Sequence, residues 1–330
     1  MGLWYSISGM LLLILFVIIG IEGMELYPFF SIFIPYLAGL FFLIGFIYRV
    51  LKWSSSPVPF HIPIVCGQQK SLDWVEADGI DSPSTTSGVI KRLALDILFF
   101  RPLLRNEKVE LEAPYRLLFK PSVLLWIGAM AFHWSFLWIG LRHLRFFLEP
   151  VPSLIVFLQR LDSILQGLFP ILYMSDILFL ASLGYLFLRR IFYSQIRYIS
   201  LPSDYFVLLL IFGIALSGVL MRLFFKVDLI QVKEWSLGML RFRPIPPKGV
   251  HLLFYVHLFL VALLFSYFPF SKLMHMPGIF LSPTKNLTNT SRNKRHINPW
   301  NYPVKVHTYE EYEEEFRASM KEVGLPVEKE

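Results

Sequence analysis

His133, His143, His257 and His275 fall as two pairs, ten and eighteen residues apart, on two apolar stretches long enough to cross a bilayer. A polar ring in hydrocarbon needs a partner, so ionisable side chains in such stretches ordinarily mark functional sites. Two pairs on two spans imply that something shared is held between them. The chemistry that uses two neutral imidazoles per centre is axial ligation of haem iron. On a regular helix, eighteen residues would place His257 and His275 on one face about 27 Å apart, and ten would separate His133 from His143 by about 15 Å and roughly 80°. Helix tilt and unequal haem inclination must absorb that mismatch. Met276-Pro277-Gly278 predicts a helix end or bend beside His275. Zinc is the rival metal, but there is no His-Glu-x-x-His and no close Cys/His grouping. Any one of these histidines alone would read as an interfacial or hydrogen-bonded ring.

The elements that must position them are membrane helices. Hydrophobic residues make up 55% of the 330, and mean hydropathy is +0.56, well beyond an ordinary soluble domain. Six apolar runs, at 7–21, 29–50, 121–141, 168–188, 206–224 and 250–270, each approach the roughly 20 residues that span a bilayer as a helix. Their continuous apolar character, without period-two alternation, predicts an all-α integral membrane bundle of about six transmembrane helices. The first run has no preceding Lys or Arg and no small-residue cleavage site after it, so it reads as a retained anchor.

The net charge of +7 is spread over loops and argues topology, not nucleic-acid binding. Arg49, Lys52, Lys70, Lys91, Arg92, Arg101, Arg105, Lys108, Arg116 and Lys120 lie between the second and third runs, which places that loop and both termini in the cytoplasm of a multi-pass cell-membrane protein. Spans three and six then run antiparallel. His133 and His275 lie at the inner end and His143 and His257 at the outer end, giving a two-haem ladder. Against this orientation, Arg222, Lys226, Lys233, Arg241, Arg243 and Lys248 fall on the outer side.

The chain divides into an N-terminal hairpin (1–50), a cytoplasmic loop (51–112), a four-helix segment with the histidines (113–281) and a polar tail (282–330). The run 93–104 is too short to span and is expected on the membrane surface. Segments 151–168 and 229–240 read as amphipathic interfacial helices roofing the outer face. The single Cys66 excludes an internal disulfide, or a thiolate-held iron–sulfur cluster, within this sequence. Burial is its ordinary reading, and a reactive thiol at a docking surface the functional one. His61, His296 and His307 read as surface residues.

These spacings resemble the respiratory nitrate reductase gamma subunit family, the di-haem cytochromes b, over about residues 113–283. The resemblance implies two haem b groups, held by His133/His275 and His143/His257, with a quinol site beside the outer one. Cys66-Gly67-Gln68-Gln69-Lys70-Ser71-Leu72-Asp73-Trp74, Phe100-Arg101-Pro102-Leu103-Leu104-Arg105-Asn106 and Asn298-Pro299-Trp300-Asn301, with the extra hairpin, resemble the cytochrome b branch of the menaquinone redox complex associated with dissimilatory sulfite reductase. That branch implies menaquinol or menaquinone as substrate, a cytoplasmic iron–sulfur partner of the heterodisulfide reductase type, and further membrane and multihaem or ferredoxin-like subunits. Arg142, before the outer ligand, departs from the family pattern, and no quinol-binding motif transfers. Arg160, Asp162 and His251 are quinol-site candidates by position, and Asp176, expected inside the fourth span, is a proton-relay candidate or a hydrogen-bonded carboxyl. The alternatives are a cytochrome b for nitrate reductase or a hydrogenase, and a haem-free scaffold or transporter.

Overall fold

The computed structural model describes residues 2–56, 78–104, 107–112, 116–167, 172–247, 249–289 and 306–329, with backbone alone along 107–112 and 116–120 and at 165 and 167. Cys66, its motif, His61, His296, Arg105, Asn106, Lys248, 168–171 and the 298–301 motif lie outside the described residues.

The chain is a helical membrane bundle. Helix α1 (Gly2–Ile18) continues through a wider turn to Gly23, and α2 (Ile34–Ser54) begins after a similar turn, Phe29–Phe33. A short segment outside the bundle follows: α3 (Thr86–Leu98), α4 (Arg101–Leu104) and an antiparallel ribbon of β1 (Glu107–Glu112) and β2 (Arg116–Pro121). Then come α5 (Val123–His143), α6 (Ser153–Asp162), α7 (Met174–Phe192), α8 (Ser194–Ile199), α9 (Pro202–Leu223), α10 (Leu229–Leu240) and α11 (Leu252–Tyr267). Short helices α12 (His275–Leu281) and α13 (Pro283–Asn286) close the bundle, and α14 (Tyr309–Glu322) lies in the tail.

Among the described residues, five helical segments are long and apolar enough to cross a membrane: Gly2–Gly23, Phe29–Ser54, Val123–Phe146, Pro202–Leu223 and Leu252–Phe270. The expected fourth run is different. Its helix is shifted toward the C-terminus, to Met174–Phe192, and carries Asp176, Arg189 and Arg190 in its end turns. It packs along α5 and α9 as a further member of the bundle. The bundle wears its apolar residues outward, with Leu124 67% and Leu12 65% exposed. This is the surface expected of a protein solvated by lipid.

Since lipid is as apolar as leucine, helix association there rests on close packing and polar contacts between helices. The N-terminal hairpin shows both. Met10, Val17, Ile21 and Phe30 share one core with Leu210, Trp235, Phe254, Tyr255 and Phe259. Ser6 Oγ donates to Pro202 O at 2.7 Å, Tyr36 OH to Met239 O at 2.9 Å and Trp235 Nε1 to Ser31 O at 2.9 Å. Gly45 admits α11's end so closely that a Cβ there would lie 2.8 Å from Pro269 Cβ.

The helix carrying His257 breaks earlier than Met276-Pro277-Gly278 predicted. It passes through short turns at Phe268–Phe270 and Lys272–Met274, and α12 then starts at His275 itself. The reason is local. Pro269 cannot continue the α11 hydrogen-bond ladder, whereas Pro277 sits in the first turn of α12, where its missing N–H costs nothing.

In the tail, Glu313 accepts the backbone N–H of Glu328 at 2.8 Å and of Lys329 at 3.0 Å. Those bonds, the Glu328 one foremost, hold its carboxyl below the ordinary value. A depressed carboxylate stabilises above its unfolded value of about 4.3 and ceases to as pH falls through the folded one. Amide exchange at 328–329, corrected for intrinsic rates, is therefore expected to stay protected at neutral pH and lose protection on acidification below about pH 4. Glu313→Gln should abolish that pH dependence. At the bundle, Gly45→Ala is expected to cost about 1–3 kcal/mol through overpacking. Gly39→Ala, where a Cβ meets nothing within 4 Å, should leave the melting temperature in detergent unchanged.

Candidate functional site

The four histidines stand at two levels of the bundle. His133 and His275 face each other, with ring centres 6.1 Å apart and planes at 88°. A metal bound on opposite sides by two imidazoles sets ring centres about 6 Å apart, from two bonds of about 2 Å and the half-width of each ring. At the other level, His143 and His257 lie close enough to interact electrostatically.

Each ring is tethered through the same nitrogen. Nδ1 of His133 lies 2.8 Å from Ala129 O, Nδ1 of His143 2.7 Å from Ile139 O, and Nδ1 of His275 2.8 Å from Lys272 O. A carbonyl only accepts, so Nδ1 carries the proton and Nε2 keeps a free lone pair. His257 reaches the same state through a side chain. Its Nδ1 lies 2.9 Å from Ser217 Oγ, whose own hydrogen is directed to Gly213 O at 2.7 Å and Ile214 O at 3.0 Å. Orienting one nitrogen by a hydrogen bond so that the other can ligate is how metal-binding histidines are ordinarily held.

α5 packs along α7 and α11 along α9, while α5 and α11 make no extended contact with each other. His143, at the end of α5, is exposed. Among the described residues no group of three or more His, Cys, Asp or Glu forms a metal site. Two imidazoles suffice only for a metal that brings its own equatorial donors, as haem iron does. The residues therefore fit haem.

Beside His143 lies a buried ionic cluster. Arg142 NH2 reaches Asp176 Oδ1 at 2.5 Å and its NH1 lies 3.2 Å from Asp162 Oδ2, while Arg222 NH1 stands 3.8 Å from Asp176 Oδ2. Asp162 also accepts Ser175 N and Oγ at 2.7 and 2.6 Å. Tyr173 stacks against both guanidinium groups, with Cζ atoms 3.7 Å (Arg142) and 3.6 Å (Arg222) from its ring centre. A chain of hydrogen bonds runs from Arg145 through Gln159 to the Tyr173 hydroxyl. Two arginines and two aspartates balance in charge, which is what permits the burial of Arg142, Asp162 and Asp176, with Arg222 half-buried at the edge.

The structure thus brings Asp162 and Asp176 together and leaves out the other two quinol-site candidates. Arg160 is exposed on α6 and outside the cluster. His251 caps α11, its Nδ1 accepting Leu253 N at 3.1 Å, and stacks on Phe225 at 4.2 Å. Asp176 lies in the first turn of α7, not inside a span, because the helix begins only at Met174. Asp162, read as part of a polar outer face, is 1% exposed, while Leu154 and Phe157 on the same helix face outward. Sequence reading missed Arg222, Tyr173 and Ser217 as site residues. The one available signal was depth: Ser217 and Arg222 end the fifth apolar run at the level where Arg142 ends the third.

A helical membrane protein with two levels of paired, pre-oriented imidazoles is the class these features define. The chain matches the nitrate reductase gamma subunit family model over residues 106–293 and belongs to that family. It is 42% identical over 278 residues to the Hdr-like menaquinol oxidoreductase cytochrome b-like subunit of Archaeoglobus fulgidus, covering 82% of this chain and 83% of that protein. To the protein of the same description from Archaeoglobus profundus it is 40% identical over 282 residues, covering 83% of each.

Removing one partner of a buried ion pair leaves the other charge stranded, at a cost of about 3–5 kcal/mol. Asp162→Ala is accordingly expected to lower the melting temperature in detergent sharply. Arg160→Ala, one helix position class away but exposed, should leave it within error of the parent.

Proposed function

We propose that this chain is the di-haem b membrane subunit of a menaquinol-linked oxidoreductase complex. In this reading it carries electrons between menaquinol or menaquinone and a cytoplasmic iron–sulfur subunit of the heterodisulfide reductase type. Its family and its 40–42% identical relatives support the redox role within a complex. The observation that carries the haem assignment is the pre-orientation of all four imidazoles, with His133 and His275 already at bis-imidazole spacing.

When bound, each haem supplies one-electron redox chemistry. His133 and His275 hold the inner one, His143 and His257 the outer one. Quinol oxidation belongs at the His143 level, near the outer face, where two electrons enter the chain and two protons leave. There the Arg142, Asp162, Asp176 and Arg222 cluster holds charge beside the outer ligand without a net excess. Asp176, the least enclosed of the two carboxylates, is the residue assigned to proton exit. The cytoplasmic loop and the tail with α14 form the side that meets the iron–sulfur subunit and the further multihaem or ferredoxin-like subunits, in dissimilatory sulfur metabolism.

The test is haem content with a reduced-minus-oxidised spectrum on the purified chain. Two b haems are expected in the parent and one in His143→Ala, with the remaining signal that of the His133/His275 centre. Well-folded parent protein without haem would overturn the reading.

A further inference from the structure

Phe100 is a phenylalanine with a left-handed backbone, φ 49°. A bulky residue avoids that region because its Cβ crowds the backbone, so neighbours must impose it. They are visible on both sides. Immediately before it, Leu98 O accepts Trp134 Nε1 at 3.1 Å and Phe99 O accepts Trp126 Nε1 at 2.7 Å, both from α5. Immediately after it, Arg101 pairs with Asp81. The result is that the Phe100 ring lies on the His133 ring, with centres 4.8 Å apart and planes inclined 38°.

The same segment is fastened to the helix pair that carries the other inner histidine. Arg92 NH1 of α3 donates to Thr284 O at 3.0 Å, Asp96 accepts Lys285 Nζ at 2.6 Å, and Asn289 N donates to Pro83 O at 2.7 Å. Thr284 and Lys285 lie in α13, a few residues beyond His275. Helices α3 and α4 therefore tie α5, which carries His133 at its middle, to the chain that holds His275.

We propose that the segment 81–104 is a clasp on the inner redox centre and that Phe100 is its positioning residue, setting the plane of the His133 ring and keeping water from it. This rests on the reading of His133 and His275 as haem ligands. The strain at Phe100 is then the consequence of placing an aromatic face where a glycine would fit the backbone better. Among the described residues the ring contact at His143 is the more distant Phe146, at 6.0 Å between ring centres.

The physical consequence is on potential. A dry, apolar cover favours the less charged ferrous state, and water admitted to the ligand favours the ferric one. F100G, made in the full chain, removes the cover while relieving the backbone, so its melting temperature should hold or rise. Its haem content should stay at two. One of the two midpoints should fall, by roughly a tenfold change in its reduction equilibrium, about 59 mV for one electron, and the other should not move. The ferric low-spin signal of the same haem should change its anisotropy, which follows the angle between the two imidazole planes. F100Y should restore both properties. F100L should give the same downward shift at smaller size, which keeps the test open if F100G does not purify. Two haems with both midpoints unchanged in F100G would overturn the clasp while leaving the di-haem reading intact. A parent without haem would overturn both.

Discussion

In hydrocarbon each ring nitrogen of a histidine must be accounted for, and the rest of this structure follows from how these four rings meet that demand. The carbonyl i−4 or i−3 takes the Nδ1 proton of His133, His143 and His275, and Ser217 takes that of His257. What remains on every ring is one unprotonated nitrogen, Nε2, free to act as a donor to a metal. A lone pair so placed is costly unless something ligates it. The His133–His275 pair shows what is being asked for, since the two rings stand at the separation of a shared metal and on helices that otherwise keep apart.

Polarity elsewhere is arranged around the two histidine levels. Arg142, Asp162, Asp176 and Arg222 close the His143 end, and Asp204 with Arg190 and Lys272 gathers at the other, at N···O distances of 3.5 and 2.8 Å. Each cluster joins at least three chain segments. With lipid unable to drive helix against helix, these charges and the glycine contacts hold the bundle in register. Helix α6 states the rule most plainly, burying its aspartate and exposing its leucines.

Much of the fold was legible because its signal is local. A run of about twenty apolar residues can only be a helix in a bilayer, and four histidines on two such runs have few other uses. The site's supports were not legible, because they are made between segments far apart in sequence. Nothing near Ser217 announces a bond to His257 forty residues later, and Arg222 reads as an outer-loop charge until α9 brings it onto Tyr173. The ribbon of β1 and β2 did carry a signal, the alternation of Val109 and Leu111 with charged neighbours, which the search for spans passed over. The break after α11 falls at Pro269, earlier than Met276-Pro277-Gly278 implied, because Pro269 lies where the α11 ladder would need a backbone N–H.

The N-terminal hairpin acquires its meaning from the same constraint. It lies outside residues 106–293, where the family match falls, and it carries no histidine. It is nevertheless no appendage, because Phe16 and Phe30 pack on Phe259 at 5.8 and 6.0 Å between ring centres, two residues beyond His257. Helix α2 meanwhile grips the bend that carries the chain from α11 to His275, through Gly45 against Pro269 and Phe270 and through Trp53 against Gly278. His257 on α11 and His275 on α12 thus both sit beside stretches of chain that the hairpin packs against. A helix backed by lipid alone tilts to suit bilayer thickness, and a tilt of α11 would displace His257. The hairpin removes that freedom, and with α3 fastened to α13 on the far side, His133 and His275 are held from both flanks by segments that carry none of the four histidines.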